Sequence, residues 1–165
     1  MLIDIEIEAD WPADTDWAKL AAGCAEAAAQ VAPELALERL AVSALLTSDA
    51  EVQALNREWR GKDRPTNVLS FPMLERADLL DLAADGPEEM LGDLALALET
   101  CAREAKEKAV PLADHAAHLM IHGLLHLAGY DHENGDADAA AMEALEIKAL
   151  ALIGIADPYG DGPRA

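Results

Sequence analysis

The chain opens on a strict alternation: Leu2-Ile3-Asp4-Ile5-Glu6-Ile7-Glu8 puts isoleucine at every second position with acids between. A period of two predicts a half-buried strand. Residues 17 to 31 are then Ala-rich and predict a helix, stopped by Pro33. Residues 40 to 47 form an apolar run of strand length, so a second, more buried strand is expected. Ser48 and Glu51 stand at the S-x-x-E spacing of a capping box. The helix they open presents Val52, Leu55 and Trp59 on one face and ends at Gly61.

Residues 66 to 71 predict a short strand closed by Pro72, and residues 73 to 88 an acidic loop punctuated by Gly86-Pro87. Residues 90 to 98 read as a further strand, although their Ala and Leu content also permits helix. A helix is expected over residues 99 to 108. Pro111 suits the first turn of another, which runs to Leu127 or Ala128 and stops at Gly129. Asp136 or Asp138 can cap a last helix ending near Gly154. Trp11, Trp17 and Trp59 are expected in the core or half-buried. No internal repeat or linker interrupts the pattern. It predicts a single α+β domain over residues 1–165: about four strands in a mixed sheet, interleaved helices, and two late helices carrying the chemistry.

Composition narrows this. With 165 residues, 52% hydrophobic, and a mean hydropathy of +0.04, a single folded domain is expected and wholesale disorder is excluded. No apolar run reaches membrane-spanning length, and the opening alternation is unlike a signal peptide or anchor, so a cytoplasmic protein without a membrane partner is expected. Cys24 and Cys101 lie far apart in predicted helices, which argues against a disulfide framework.

The net charge of −20 looks hostile to nucleic acid, whose phosphates need clustered Lys and Arg. Its distribution changes the picture. Arg57, Arg60, Lys62 and Arg64, four of the 12 basic residues, fall close together with only Glu58 and Asp63 among them. A small positive patch on an acidic body can hold one polyanion locally without coating nucleic acid indiscriminately.

All five histidines lie between residues 115 and 132. His122 and His126, four apart on a predicted helix, share a face about 6 Å apart along the axis. Gly129 lets the chain leave through a left-handed residue and fold back, bringing His132 toward the pair. Three imidazoles with a fourth position open is the catalytic arrangement of zinc. His115 and His118 read as packed or solvated residues, although His118, His122 and His126 make a rival triad on one stripe. The spacing is shared with metzincin proteases, whose glutamate after the first histidine is the general base. Here that residue is Gly123, so a zinc peptidase is the weaker reading.

The same residues resemble a known family. His122-Gly123-Leu124-Leu125-His126-Leu127-Ala128-Gly129-Tyr130-Asp131-His132 is similar to the H-G-x-L-H-L-x-G-Y-D-H signature of the YbeY endoribonucleases. The resemblance extends through Leu55-Asn56, Arg60-Gly61-Lys62-Asp63, residues 65 to 72 (PTNVLSFP) and Leu91-Gly92-Asp93, and reaches Asp157-Pro158-Tyr159. It implies a zinc-dependent, single-strand-preferring endoribonuclease that matures the 3′ end of small-subunit (16S) ribosomal RNA and serves ribosome quality control. RNA, the small ribosomal subunit and its assembly factors are the implied partners; DNA is not. The family's zinc ligands correspond to His122, His126 and His132, and its functional arginine to Arg60.

Arg60 is thus the candidate for stabilising charge on a phosphodiester, against a plain reading as a helix-end cation favoured by the dipole. Arg57, Lys62 and Arg64 are candidates for positioning the RNA backbone. Asp131 is either a turn residue or an acceptor orienting a ligand histidine. Asn67 and Ser70 could touch RNA or satisfy local backbone, and Tyr130 could stack on a base or simply pack. A non-catalytic ribosome-assembly factor with a structural metal is the remaining alternative.

Overall fold

In the computed structural model, which describes residues 1–131 and 135–159, the opening alternation forms strand β1 (Leu2–Ile7). Ile3 and Ile5 are half-buried against the core while Ile7, at the strand end, is 49% exposed. Helix α1 (Trp17–Val31) follows, its N-terminus capped by the Asp16 carboxylate accepting from the Lys19 amide at 3.0 Å. A single 3-10 turn at Pro33–Leu35 ends it and leads to β2 (Leu40–Thr47). Because α1 carries the chain back along the sheet, β2 pairs with β1 in parallel.

Helix α2 (Asp49–Arg60) starts where the capping box places it, with Ser48 accepting from the Glu51 amide at 3.2 Å, and stops at Gly61 in the left-handed conformation. Strand β3 (Val68–Pro72), helix α3 (Arg76–Leu80) and strand β4 (Glu89–Ala97) come next. Helices α4 (Leu98–Lys108), α5 (Leu112–Leu127) and α6 (Asp136–Leu152) complete the order. The sheet runs β1-β2-β4-β3, parallel except for β3, which lies antiparallel to β4 at the edge. The expected four-stranded mixed sheet in an α+β domain is present, and the ambiguous residues 90 to 98 are mostly strand, buried on both faces.

Successive strand residues face opposite sides of the sheet. One side, with Leu40, Val42, Ala44 and Leu46, joins α1, α5 and α6 in the main core. Alanines at 21, 25 and 28 of α1 and at 116 and 117 of α5 are buried where the helices meet, so the Ala-rich composition sets how closely they approach. On part of the other side, Val52 of α2 packs against Leu69 of β3 and Ala95 and Ala97 of β4. Asp49 fastens α2 to α4, accepting from the Thr100 amide at 3.0 Å and its hydroxyl at 2.9 Å, while Glu99 accepts from the Asp49 amide at 2.9 Å. Each helix thereby caps the other.

Several local expectations are corrected. Residues 73 to 88 are not all loop: α3 forms because Leu79 is buried and anchors a short turn that acidity alone would leave in solvent. Trp11 and Trp17 are buried edge to face, with centroids 5.1 Å apart, but Trp59 is 67% exposed, beyond the apolar cluster beneath α2. Gly135, not an aspartate, precedes the first residue of α6. Asp136 and Asp138 lie in its first turn, where the helix dipole favours them. Pro111 sits one residue before α5 rather than inside it. Cys24 and Cys101 are buried free thiols, both pushed up to about 12 by burial, and so inert.

Candidate functional site

Helix α5 passes through the core with eleven buried residues; past its first turn, His122 and His126 are the residues left partly exposed. The two imidazoles stand 4.7 Å apart between ring centroids, as their four-residue spacing requires. Between them Gly123 faces the sheet. A Cβ there would meet Leu94 Cδ2 at 2.6 Å, so β4 and α5 approach more closely than any larger residue allows. The position a metzincin uses for its base is therefore packed against the sheet.

The expected stop at Gly129 is present. Gly129 adopts φ +100°, with its amide donating to the His126 carbonyl at 2.9 Å and the Tyr130 amide to that of Leu125 at 3.0 Å. Arg76 of α3 braces this turn. It donates to the Ala128 carbonyl at 2.7 Å, pairs with Glu34 at 3.0 Å and lies 4.6 Å over the Tyr130 ring. Tyr130 in turn donates its hydroxyl to Glu34 at 2.7 Å, so it packs into this network. Burial works against the Glu34 charge, but hydrogen bonds from Tyr130 and Arg76 hold the carboxyl below its ordinary range. His132, the third expected ligand, lies outside the described residues.

A polar cleft of about 590 Å³ opens here, lined by Arg60, Ser70, His122, His126, Tyr130 and Asp131 among others. Arg60 enters it from the C-terminal end of α2, so the structure brings the candidate arginine to the two helical histidines. The following loop is held by Asn56, which donates from Nδ2 to the Arg64 carbonyl at 2.9 Å and accepts the Lys62 amide at its own carbonyl at 3.2 Å. Arg57 instead pairs with Asp63 at 3.4 Å, and Lys62 and Arg64 are exposed on the loop outside the cleft lining. Asn67 also borders the cleft but is spent locally. Its Oδ1 accepts the Val68 amide at 2.7 Å and its Nδ2 donates to Glu104 at 3.0 Å. A second, mostly apolar concavity of about 620 Å³ lies on the sheet face beside α2, bordered by Trp59, Phe71 and Met73.

Behind the histidines stands a group that motif reading did not find. Glu146 of α6, 1% exposed, accepts from His118 Nε2 at 2.6 Å and Tyr159 Oη at 2.6 Å on Oε1, and from His122 Nδ1 at 2.9 Å on Oε2. Burial alone would raise its pKa, but these donors outweigh it and bring the carboxyl down to about 2. Burial and the Glu146 charge both push the Tyr159 hydroxyl up. His118 does not line the polar cleft: its Nε2 meets Glu146 and its Nδ1 is buried, so the rival triad of His118, His122 and His126 is not assembled. Among the described residues no three His, Cys, Asp or Glu side chains are grouped to hold a metal ion. A glutamate within an apolar helical stripe, at a position whose neighbours are core residues, is the one sequence signal that could have pointed to Glu146.

A sequence model of the family described as Endoribonuclease YbeY matches residues 4–154. The endoribonuclease YbeY of Erythrobacter litoralis is 61% identical over 161 residues, covering 98% of this chain and 99% of that protein. That of Novosphingobium aromaticivorans is 59% identical, covering 96% of this chain and 95% of its own. The solution structure of a Thermotoga maritima protein superposes with a TM-score of 0.58 at 28% identity, over 91% of this chain and 89% of that one. With the family matched across nearly all of its length, this chain belongs to the YbeY endoribonuclease family.

Proposed function

We propose that this chain is a zinc-dependent endoribonuclease that cuts single-stranded RNA. Its substrate is the 3′ region of small-subunit ribosomal RNA, and its partners are the small subunit and its assembly factors, in the cytoplasm and in ribosome quality control. One observation carries the chemistry: an arginine from α2 and two histidines from α5 line the same polar cleft. The ribosomal part rests on kinship with proteins named as endoribonucleases.

The donors suit zinc. Two imidazoles on one helical face give nitrogen ligands at the spacing such sites use, and His132 is the third ligand on this reading. Zinc held there supplies Lewis acidity toward water and phosphoryl oxygen. The chain supplies the rest. Arg60 offers a planar donor pair to the phosphodiester oxygens as negative charge builds on them. The polar floor with Ser70 and Asp131 accommodates a charged backbone better than an apolar peptide, and the surrounding acidity keeps the protein off nucleic acid it does not seat in the cleft.

The test is cleavage of an end-labelled single-stranded RNA by protein of measured metal content. Cutting that stops with a chelator and returns with zinc supports the reading. Full activity in metal-free protein, or none on any RNA with zinc bound, overturns it.

A further inference from the structure

We propose that Glu146 is a positioning residue of this cleft: it fixes His122 in the Nδ1–H tautomer and in one ring orientation, making Nε2 the coordinating nitrogen. His118 and Tyr159 hold the carboxylate in place. The coordination part rests on the zinc reading above; the tautomer part does not.

The argument begins with proton counting. A carboxylate as buried as Glu146 is tolerable only when its lone pairs are filled by donors. Three surround it: the rings of His118 and His122 and the hydroxyl of Tyr159. Each must donate, since an ionised carboxylate only accepts. For His118 this places the proton on Nε2 and a bare lone pair on Nδ1. Among the described residues that buried Nδ1 has no hydrogen-bond partner, which suits a lone pair far better than an orphaned N–H. For His122 the same logic places the proton on Nδ1. The ring's lone pair is then on Nε2, away from Glu146.

His118 and Tyr159 already satisfy Oε1, yet Oε2 reaches forward to a ring whose side chain is 22% exposed and borders the cleft. Histidines that bind metals through one nitrogen commonly donate the other to a carboxylate, which sets tautomer and orientation. The C-terminal segment serves the same end. Asp157 accepts the Tyr159 amide at 2.7 Å, and this turn, with Pro158 inside it, delivers the tyrosine hydroxyl to Glu146. The Asp157-Pro158-Tyr159 motif thereby acquires a role in holding Glu146.

The test uses the full chain with ¹⁵N-labelled histidine. In the zinc-loaded protein His122 is expected to coordinate through Nε2 with a protonated Nδ1. With zinc removed, it is expected to remain the Nδ1–H tautomer. Glu146→Leu should shift it toward Nε2–H and weaken zinc binding, read by competition with a chromophoric chelator, about 10- to 100-fold. Glu146→Gln is isosteric but has a single acceptor oxygen, which His118 and Tyr159 claim. Its amide N–H then meets His122 Nδ1 and should shift the tautomer toward Nε2–H, in the same direction as Glu146→Leu. Coordination through Nδ1, an Nε2–H tautomer in the zinc-free wild type, or undiminished zinc affinity in folded Glu146→Leu would each overturn the proposal. The first two stand on the wild-type protein and hold even where Glu146→Leu fails to fold. A wild-type chain that takes up no zinc would instead sink the zinc reading and leave the tautomer measurement intact.

Discussion

Arg76 donates to the carbonyl of Ala128 at 2.7 Å, so a side chain from a short helix in the acidic segment closes the end of the helix that carries the histidines. The last carbonyls of a helix lack partners within it, and a cation there also meets the negative end of the dipole.

Arg76→Ala removes a charge-assisted hydrogen bond and the pair with Glu34. A hydrogen bond to a charged group contributes about 1.5–3 kcal/mol. With the Arg76 side chain 39% exposed, solvent screening brings the expected loss to about 1–2 kcal/mol. Arg76→Lys should recover only part of the loss: one nitrogen, Nη1, makes both polar contacts and an ammonium can stand in for it, but not for the planar group lying over the Tyr130 ring. Urea midpoints of the three proteins check this; equal midpoints would show that the turn holds without Arg76.

Two substitutions in the cleft should separate metal from chemistry. His126→Ala leaves too few imidazoles to retain zinc, so metal content and RNA cleavage should vanish together. Arg60→Glu touches no proposed ligand. It should keep wild-type metal content and lower cleavage about 10²- to 10³-fold, the usual cost of one donor aimed at developing charge. Elemental analysis beside a cleavage assay reads both. Zinc retained in His126→Ala would move the site elsewhere, and unchanged turnover in Arg60→Glu would remove the arginine from the mechanism.

What could be read in advance follows from where the information lies. Ser48, Gly61 and Gly129 mark helix boundaries through local backbone chemistry, and each is found where that chemistry requires. The pairing of His122 with His126 is set by helical geometry and needs no tertiary knowledge. Glu146 and Arg76 escaped because their partners lie 24 and 52 residues away in the chain, and nothing near either residue announces the contact. Trp59 misled for a related reason: an apolar face on a helix predicts burial only where other elements close over it, and here the sheet face beside α2 is left open as a concavity that Trp59 borders.

Gly123→Ala sets two effects against each other. Alanine favours helix over glycine by about 1 kcal/mol. The added methyl meets Leu94 at 2.6 Å in a packed interior, and overpacking of that kind costs about 1–3 kcal/mol. Repacking should win narrowly, lowering Tm by a few degrees, at about 2–4 °C per kcal/mol for a chain of this size. Gly123→Ala combined with Leu94→Val, which retracts the obstructing methyl, should regain part of the loss. A single variant more stable than the wild type would mean that α5 and β4 have room to separate.

The pH dependence of stability should carry the mark of His115 and Glu104. His115 Nε2 lies 2.8 Å from Glu104 Oε1. Burial lowers the His115 pKa below its ordinary 6.5, more than Glu104 restores. Burial would raise Glu104, but hydrogen bonds from His115 and Asn67 hold it below its ordinary 4.5. Both shifts have the same sign. As pH falls below 6.5 the unfolded chain protonates His115 while the folded chain resists, and below 4.5 the same happens at Glu104. The unfolded state binds more protons in both windows, so stability declines toward acid and neither group contributes a slope above pH 6.5. His115→Gln retains a donor for Glu104 but cannot titrate. Urea midpoints of the zinc-loaded proteins, measured from pH 8 to 5, should fall less steeply for the variant below pH 6.5 and run parallel to the wild type above it. Identical slopes across the whole range would show that His115 binds its proton as readily in the folded chain as in the unfolded one.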